Sequence, residues 1–380
     1  MKKALVVARV VKTHIMVFHV PYLKLLKELG FEVHVCAKND YDDPDELKIP
    51  YCDRFFDLPF EREPFKRKNL EAYRGMKKLI KEQDYELIHC HTPVGGAIAR
   101  VAAKNVKNKG SKVVYTAHGF HFFKGAPLMN WLLYYPIEKH LSRWTDALIT
   151  INEEDYEMII KRGFHAKYKE YTMGVGVDLE KFHPVSLTTK KNLRETYGYS
   201  DEAFIIAYVA EMVERKNHQM LIDAMKVLVK KIPQLKLLFI GQGKCLEILK
   251  QRVKNDCLDS SIDFMGFRHD VADLMRISDI AVSASSKEGL PVNVMEAMAS
   301  GLPMVVTNCR GNRQLVAHEK NGYVVEINDI GTFCQGVEKL QQSEELRNTF
   351  GKFNLEAIQR YDIKQVVRQM KAIYRKVLVE

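Results

Sequence analysis

Nowhere in the 380-residue chain do the 18 or so uninterrupted apolar residues of a membrane-spanning helix occur. There is no C-x-x-C pair, no low-complexity tract and no repeat with a period of about 20–50 residues, which argues against zinc ribbons, linkers and solenoid arrays. The seven cysteines, at 36, 52, 90, 245, 257, 309 and 334, are odd in number, scattered and mostly set in apolar runs. They point to a reducing compartment rather than to a disulfide framework. The N-terminal stretch MKKALVVARVVKTH has its apolar run stopped by Arg9 and Lys12, with no small-residue cleavage site after it. It reads as a first strand, not as a signal peptide.

With 46% apolar and 28% charged residues, the composition is that of a soluble globular protein, and the length calls for two domains. Residues 1–190 carry 31 Lys and Arg against 24 Asp and Glu, so +7 of the net +10 lies in the first half, which should prefer anionic partners. Short β-branched runs alternate with helix-length segments: 4–8, 33–37, 86–91, 112–118 and 147–152. The alternation restarts at 204–210 and continues through 235–241, 262–266, 279–285, 303–308 and 322–327. This is the pattern of two doubly wound α/β domains, each built on a parallel sheet. Glycines 174 and 176 and Pro184 place the junction, giving domains over 1–176 and 177–360. A final helix over about 361–380 carries Val366, Val367, Met370, Ile373, Tyr374 and Val377 at helical spacing.

Open α/β sheets bind ligands at the carboxyl ends of their strands, so the loops after strands deserve the closest reading. The most informative is SSKEGLPVNVMEAMASGLP (285–303), in which Glu288 follows a strand and Glu296 lies eight residues on, inside a helix. Gly289 lets the chain turn, and the helix-start amides can hold an anion such as a diphosphate. An isolated E-x7-E would be equally well explained by a dipole-favouring acid and a solvated helix residue. Further loops are VAEMVERKN (209–217), Gly241-Gln242-Gly243, Gly266-Phe267-Arg268 and, in the first half, TAHGFHFF (116–123) with His118 at a strand end.

The EGLP and EAMASGLP flanks of the glutamate pair resemble the signature of family 4 of the retaining glycosyltransferases, and the likeness runs from the first strand to about residue 360. The resemblance implies a GT-B fold, two Rossmann-like domains facing a cleft, with the C-terminal helix crossing back to the N-terminal domain. It implies that the N-terminal domain binds the acceptor and the C-terminal domain the nucleotide sugar. Glu288 would then meet the donor sugar, Gly289, Leu290, Pro291 and Val292 would line sugar and phosphate, and Glu296 would meet the ribose. Lys216 matches the family's diphosphate lysine, Gly243 belongs to a neighbouring loop, Gly266 and Phe267 match the base-binding loop, and His118 matches a histidine facing the donor sugar.

Two departures stand out. Glu211 occupies the position of the family's phosphate-binding arginine, and a carboxylate cannot stabilise a leaving diphosphate; Arg215 is the candidate to compensate. The first loop (9–21) lacks the family's glycines, leaving Lys12, His14 and His19 as candidate acceptor contacts.

No metal site is expected. His89-x-His91 has no third ligand at credible spacing, and the Asp40, Asp42, Asp43 and Asp45 cluster sits in a polar loop, as solvated acids do. No cofactor is expected either, the nucleotide sugar, a UDP-sugar by resemblance, being a substrate. The basic segment 65–83, with Leu70, Tyr73, Met76 and Ile80 as its apolar stripe, reads as a domain helix or as an anionic-membrane contact. Segment 121–136 is aromatic-rich and loop-like. Together with the resemblance to exopolysaccharide and capsule transferases, these features suggest an undecaprenyl-diphosphate-linked or glycan acceptor at the cytoplasmic face of a membrane. The rivals are another GT-B enzyme, such as a sugar-nucleotide 2-epimerase or a phosphorylase, and a basic polyanion-binding protein.

Overall fold

The computed structural model describes residues 2–104 and 110–379. The chain forms two compact units, Met1–Val175 with Lys364–Glu380, and Gly176–Ile363.

The first unit holds a seven-stranded sheet of β1 (Lys3–Val10), β2 (Glu32–Lys38), β3 (Arg54–Asp57), β4 (Leu87–His91), β5 (Lys112–Ala117), β6 (Ala147–Thr150) and β7 (Tyr168–Tyr171). Its order is β3-β2-β1-β4-β5-β6-β7, and every pairing is parallel. Covered on both faces, a central strand such as Ala4–Ala8 can be apolar at every position, and all five of those residues are buried. The edge strands β3 (RFFD) and β7 (YKEY) are short, polar and half-exposed, and carry no apolar run by which sequence patterning could find them.

The helix Ile363–Leu378 packs Val366, Met370, Ile373, Tyr374 and Val377 into the same core as Val6, Ala8 and Leu23. The chain after the second unit therefore belongs to the first.

Three local expectations need correcting. The segment after β1 is not a loop: Val11–His19 forms a nine-residue π-helix that continues into the α-helix Val20–Glu28. Segment 121–136 is a loop only up to Pro127, after which Leu128–Leu141 is helical, with Trp131, Tyr134 and Tyr135 packed on the core around Phe122. In the basic helix Arg67–Gln83 the buried stripe is Asn69, Ala72, Met76, Leu79 and Ile80; Leu70 is 53% exposed and faces water with the lysines.

The second unit repeats the plan with β8 (Phe204–Val209), β9 (Leu235–Ile240), β10 (Ile262–Gly266), β11 (Ile280–Ser283), β12 (Met304–Thr307) and β13 (Gly322–Val325). The order is β10-β9-β8-β11-β12-β13, again all parallel, with the reversal between β8 and β11. The unit begins and ends at one spot. Val177 N–H donates to Tyr361 O at 2.9 Å, and Ile363 N–H donates to Val177 O at 2.9 Å. Gly176, at φ +84°, lies so close to Ile363 that a Cβ would come within 2.7 Å of its Cα. Only glycine meets both demands.

Candidate active site

Each sheet gathers its chemistry where its strand order reverses, as doubly wound folds do. In the second unit this is the space after β8 and β11. The loop after β8 turns through Glu214–Lys216, and the buried Tyr208 hydroxyl pins it by donating to Lys216 O at 2.6 Å. The loop after β11 is tied to it where Ser286 N–H donates to Arg215 O at 2.9 Å. Across this seam Lys216 Nζ meets Glu288 Oε1 at 2.5 Å, with both side chains almost wholly buried. Arg215 lies between two carboxylates, 3.7 Å from Glu288 and 3.6 Å from Glu211. Burial alone would raise the Glu288 pKa, but Lys216 and Arg215, with hydrogen bonds from Lys216 and Ser285, outweigh it and hold the carboxyl below its usual value. The result is an ionised carboxylate beside two cations.

From Glu288 the chain passes Gly289 and Leu290 to Pro291, which caps the helix Val292–Ala299 without any side chain bonding to the helix-start amides. Those amides begin at Val292, since Pro291 itself has no N–H to give. One turn further, Glu296 is half-buried, and among the described residues its carboxylate has no hydrogen-bond or ion-pair partner. Burial pushes it up to about 7.

Sequence reading missed the neighbour that braces this turn. Arg310, at the start of the helix Arg310–Leu315 after β12, reaches Glu288 O at 3.4 Å. Gly311 lies so close to the turn that a Cβ there would be 2.7 Å from Gly289 O. The pair Arg310-Gly311 has no local signature, since its role is contact with a turn 20 residues away.

Gly243 lies in the unit but against protein: a Cβ would come within 2.5 Å of Met212 O, so it serves the close packing of the 209–217 and 241–245 loops. Gly266, at φ +68°, accepts from Gly241 N–H at 2.8 Å. Phe267, just after β10, is 59% exposed, its ring edge-to-face with His269 at 5.1 Å.

The first unit gathers imidazoles instead. His118 follows β5, and its Nε2 lies 3.2 Å from Nδ1 of His91, which ends β4. His14 and His19 come from the π-helix, His19 Nε2 lying 2.9 Å from His14 Nδ1. In an α-helix, residues five apart point about 140° away from each other. The wider i→i+5 turn brings these two rings to one side, with centroids 4.8 Å apart. His19 also stacks on His91 at 3.8 Å. Behind them His89 is held from both sides, by Tyr374 Oη at 2.6 Å and Thr116 Oγ1 at 2.8 Å.

Burial lowers every one of these rings, His118 to about 4 and His89 to about 3, and neighbouring rings lower all but His118 further. All five are neutral at pH 7, so each has one acceptor nitrogen, although both nitrogens of His89 are already engaged. His121 stands apart, against Tyr134 at 4.6 Å. Lys12 is likewise turned away, its ammonium 3.8 Å from Asp42 and over the Tyr41 ring. The aspartate cluster is structural at Asp40, which accepts from Lys12 N–H at 2.6 Å and from the Thr13 hydroxyl at 2.9 Å, anchoring the start of the π-helix.

Comparison with known proteins agrees with these two frames. Residues 22–181 match the family model "Glycosyltransferase Family 4", and residues 189–356 match "Glycosyl transferases group 1". The chain is 40% identical over 376 residues to the putative glycosyltransferase EpsD of Bacillus subtilis, covering 98% of this chain and 97% of that one. It is 29% identical over 311 residues to the UDP-Gal:alpha-D-GlcNAc-diphosphoundecaprenol alpha-1,3-galactosyltransferase of Escherichia coli, covering 81% and 79%. Among solved structures it superposes on Anabaena HepE in complex with UDP-glucose with a TM-score of 0.80 at 18% identity, covering 99% and 100% of the two chains. The chain is a member of the family 4 glycosyltransferases, with the GT-B architecture of two Rossmann-like domains.

Proposed function

We propose that this glycosyltransferase moves a hexosyl or N-acetylhexosaminyl group from a UDP-sugar to a glycan or undecaprenyl-diphosphate-linked acceptor, with retention of anomeric configuration and without a metal on the diphosphate. The observation that carries the reading is the buried Lys216–Glu288 pair at 2.5 Å, flanked by Arg215 and an uncapped helix start.

A diphosphate entering there would meet Lys216, Arg215 and the amides from Val292, a preorganised cationic cradle for the charge that develops as it leaves. Arg215 thereby takes over the charge that Glu211 cannot supply. Glu288, freed from Lys216, would accept hydrogen bonds from sugar hydroxyls. It orients the donor instead of attacking it, and the acceptor hydroxyl attacks from the face the diphosphate leaves. Glu296, raised to about 7 and without a protein partner, suits a ribose hydroxyl, and exposed Phe267 suits a base. His118, neutral and at a strand end, suits a hydrogen bond to a sugar hydroxyl, with His14 and His19 beside it as candidate acceptor contacts.

The lipid-linked acceptor is supported by the name of the Escherichia coli relative and by the exposed face of the basic helix, where Phe65 and Leu70 lie among Lys66, Arg67, Lys68 and Arg74. Among the described residues no helix is long and apolar enough to cross a membrane, so contact with a membrane at its cytoplasmic face would be peripheral.

The test is release of free nucleotide diphosphate from a panel of nucleotide sugars, with the product's anomeric configuration read by NMR. UDP release with retention, unchanged by EDTA, is expected. Inversion, or release of another nucleotide only, would overturn the reading. Conversion of the donor without transfer would favour a 2-epimerase, and the split of a glycan by phosphate a phosphorylase.

A further inference from the structure

The histidines of the first unit lie closer together than hydrogen bonding to a sugar requires. His14, His19 and His118 each present one ring nitrogen within a set spanning 4.8 Å, and all three belong to the same unit. Around a tetrahedral zinc, with Zn–N of about 2.0–2.1 Å, nitrogens stand about 3.3 Å apart. The His14–His19 pair stands at 2.9 Å, and the remaining separations lie within the 4.8 Å span.

Two buried nitrogens of the cluster, His19 Nδ1 and His91 Nε2, have no hydrogen-bond partner, although both side chains are fully buried. Such groups are costly to leave unmatched, and they mark the cluster as one whose ring nitrogens are not all engaged within the protein. His91 stands where a supporting partner should, its Nδ1 3.2 Å from Nε2 of His118.

We propose that His14, His19 and His118 form a three-imidazole site for a borderline divalent transition metal, zinc or a neighbour of it, leaving the fourth position to water or an acceptor hydroxyl. Three neutral imidazoles and no carboxylate select such ions over magnesium, calcium and manganese, which prefer oxygen. The ligands need no deprotonation at neutral pH, because burial already keeps the rings uncharged.

The sequence hides this set. His14 and His19 are five apart, a spacing that no α-helix would place on one face, and His118 arrives from another strand.

A bound ion would take the lone pair that the proposed function reserves for a sugar hydroxyl. Zinc is therefore an inhibitor of transfer, and EDTA is not. This consequence, unlike the binding itself, rests on that reading.

The experiment titrates chelator-treated full-length protein with Zn2+ at pH 7.5 against a chromophoric chelator, and with Co2+ while recording its visible spectrum. Wild type should bind one equivalent and give tetrahedral Co2+ bands. His14→Ala and His118→Ala should each weaken binding at least tenfold, His121→Ala should match wild type, and Mg2+ should not compete. No binding by folded wild type, or equal binding by His14→Ala and wild type, would overturn the site.

Circular dichroism checks that each variant is folded, and UDP-dependent thermal stabilisation reports on the second unit separately. Stabilisation without zinc binding sinks the metal site alone. One equivalent of zinc without inhibition upholds the site and sinks the sugar contact assigned to His118.

Discussion

The two units share a strand plan and differ in what they bring to its switch point. After β8 and β11 the second unit sets opposite charges in contact, Lys216 and Arg215 against Glu288, while the first unit packs five neutral imidazoles from three chain segments. A charged pair is poised for an anion that can displace one partner and neutralise the other. A neutral nitrogen-lined pocket suits hydroxyls and soft cations. The same frame thus hosts two chemistries because the loops, not the sheet, decide them.

The comparison breaks first, and by the largest effect, at the charged pair. Glu288→Gln keeps the shape but leaves Lys216 without its counter-charge and the sugar without its acceptor. Turnover should fall about 10²–10³-fold with an unchanged circular dichroism spectrum, and wild-type turnover would refute the role of Glu288.

Next comes Arg215→Gln, for which a drop of about ten- to a hundredfold is expected. Lys231→Ala, in an exposed ion pair with Glu338, should stay close to wild type. Equal effects would show that Arg215 does not replace the cation missing at Glu211.

Smaller effects concern stability, and here the two regions should respond to pH in opposite senses. Glu296 titrates at about 7 in the folded chain against an ordinary 4.5, so its contribution is complete below about 4.5 and is lost as pH rises toward 7. Glu296→Gln, which cannot ionise, should therefore be more stable than wild type at pH 8, by about 1–2 kcal/mol in urea titration. It should also bind UDP more weakly.

In the first unit the sense is reversed. His118 and His89 titrate at about 4 and 3 against an ordinary 6.5, so what they contribute is whole above 6.5 and is lost as pH falls through those values. Thermal unfolding followed from pH 7 to pH 4 should show a fall that is shallower in His118→Gln than in wild type.

The smallest change expected is Tyr374→Phe, which takes one buried hydrogen bond from His89 and should cost about 1 kcal/mol.

Legibility followed the same divide. The charged site of the second unit could be read because its residues are close in sequence: Glu288, Gly289 and Glu296 lie on one strand-turn-helix unit, and Lys216 lies on one loop. What stayed hidden there was contact across loops, such as the brace of Arg310 and Gly311 on the 288–291 turn. In the first unit His118 was legible as a strand-end residue, but its neighbours were not. The π-turn that carries His14 and His19 gives no periodicity to recognise, and Lys12, grouped with them by sequence proximity, turns instead to Asp42 and Tyr41.

Periodicity and strand-end residues by themselves determined the parallel sheets, the division into two domains, the existence of the last helix and the glutamate pair, because each is written in runs of a few adjacent residues. Tertiary structure alone decided that Arg215 sits between Glu211 and Glu288, that Leu70 faces water, and that His14, His19, His91 and His118 converge. Those outcomes depend on how separate segments pack, and packing brings together atoms whose positions in the chain carry no common pattern.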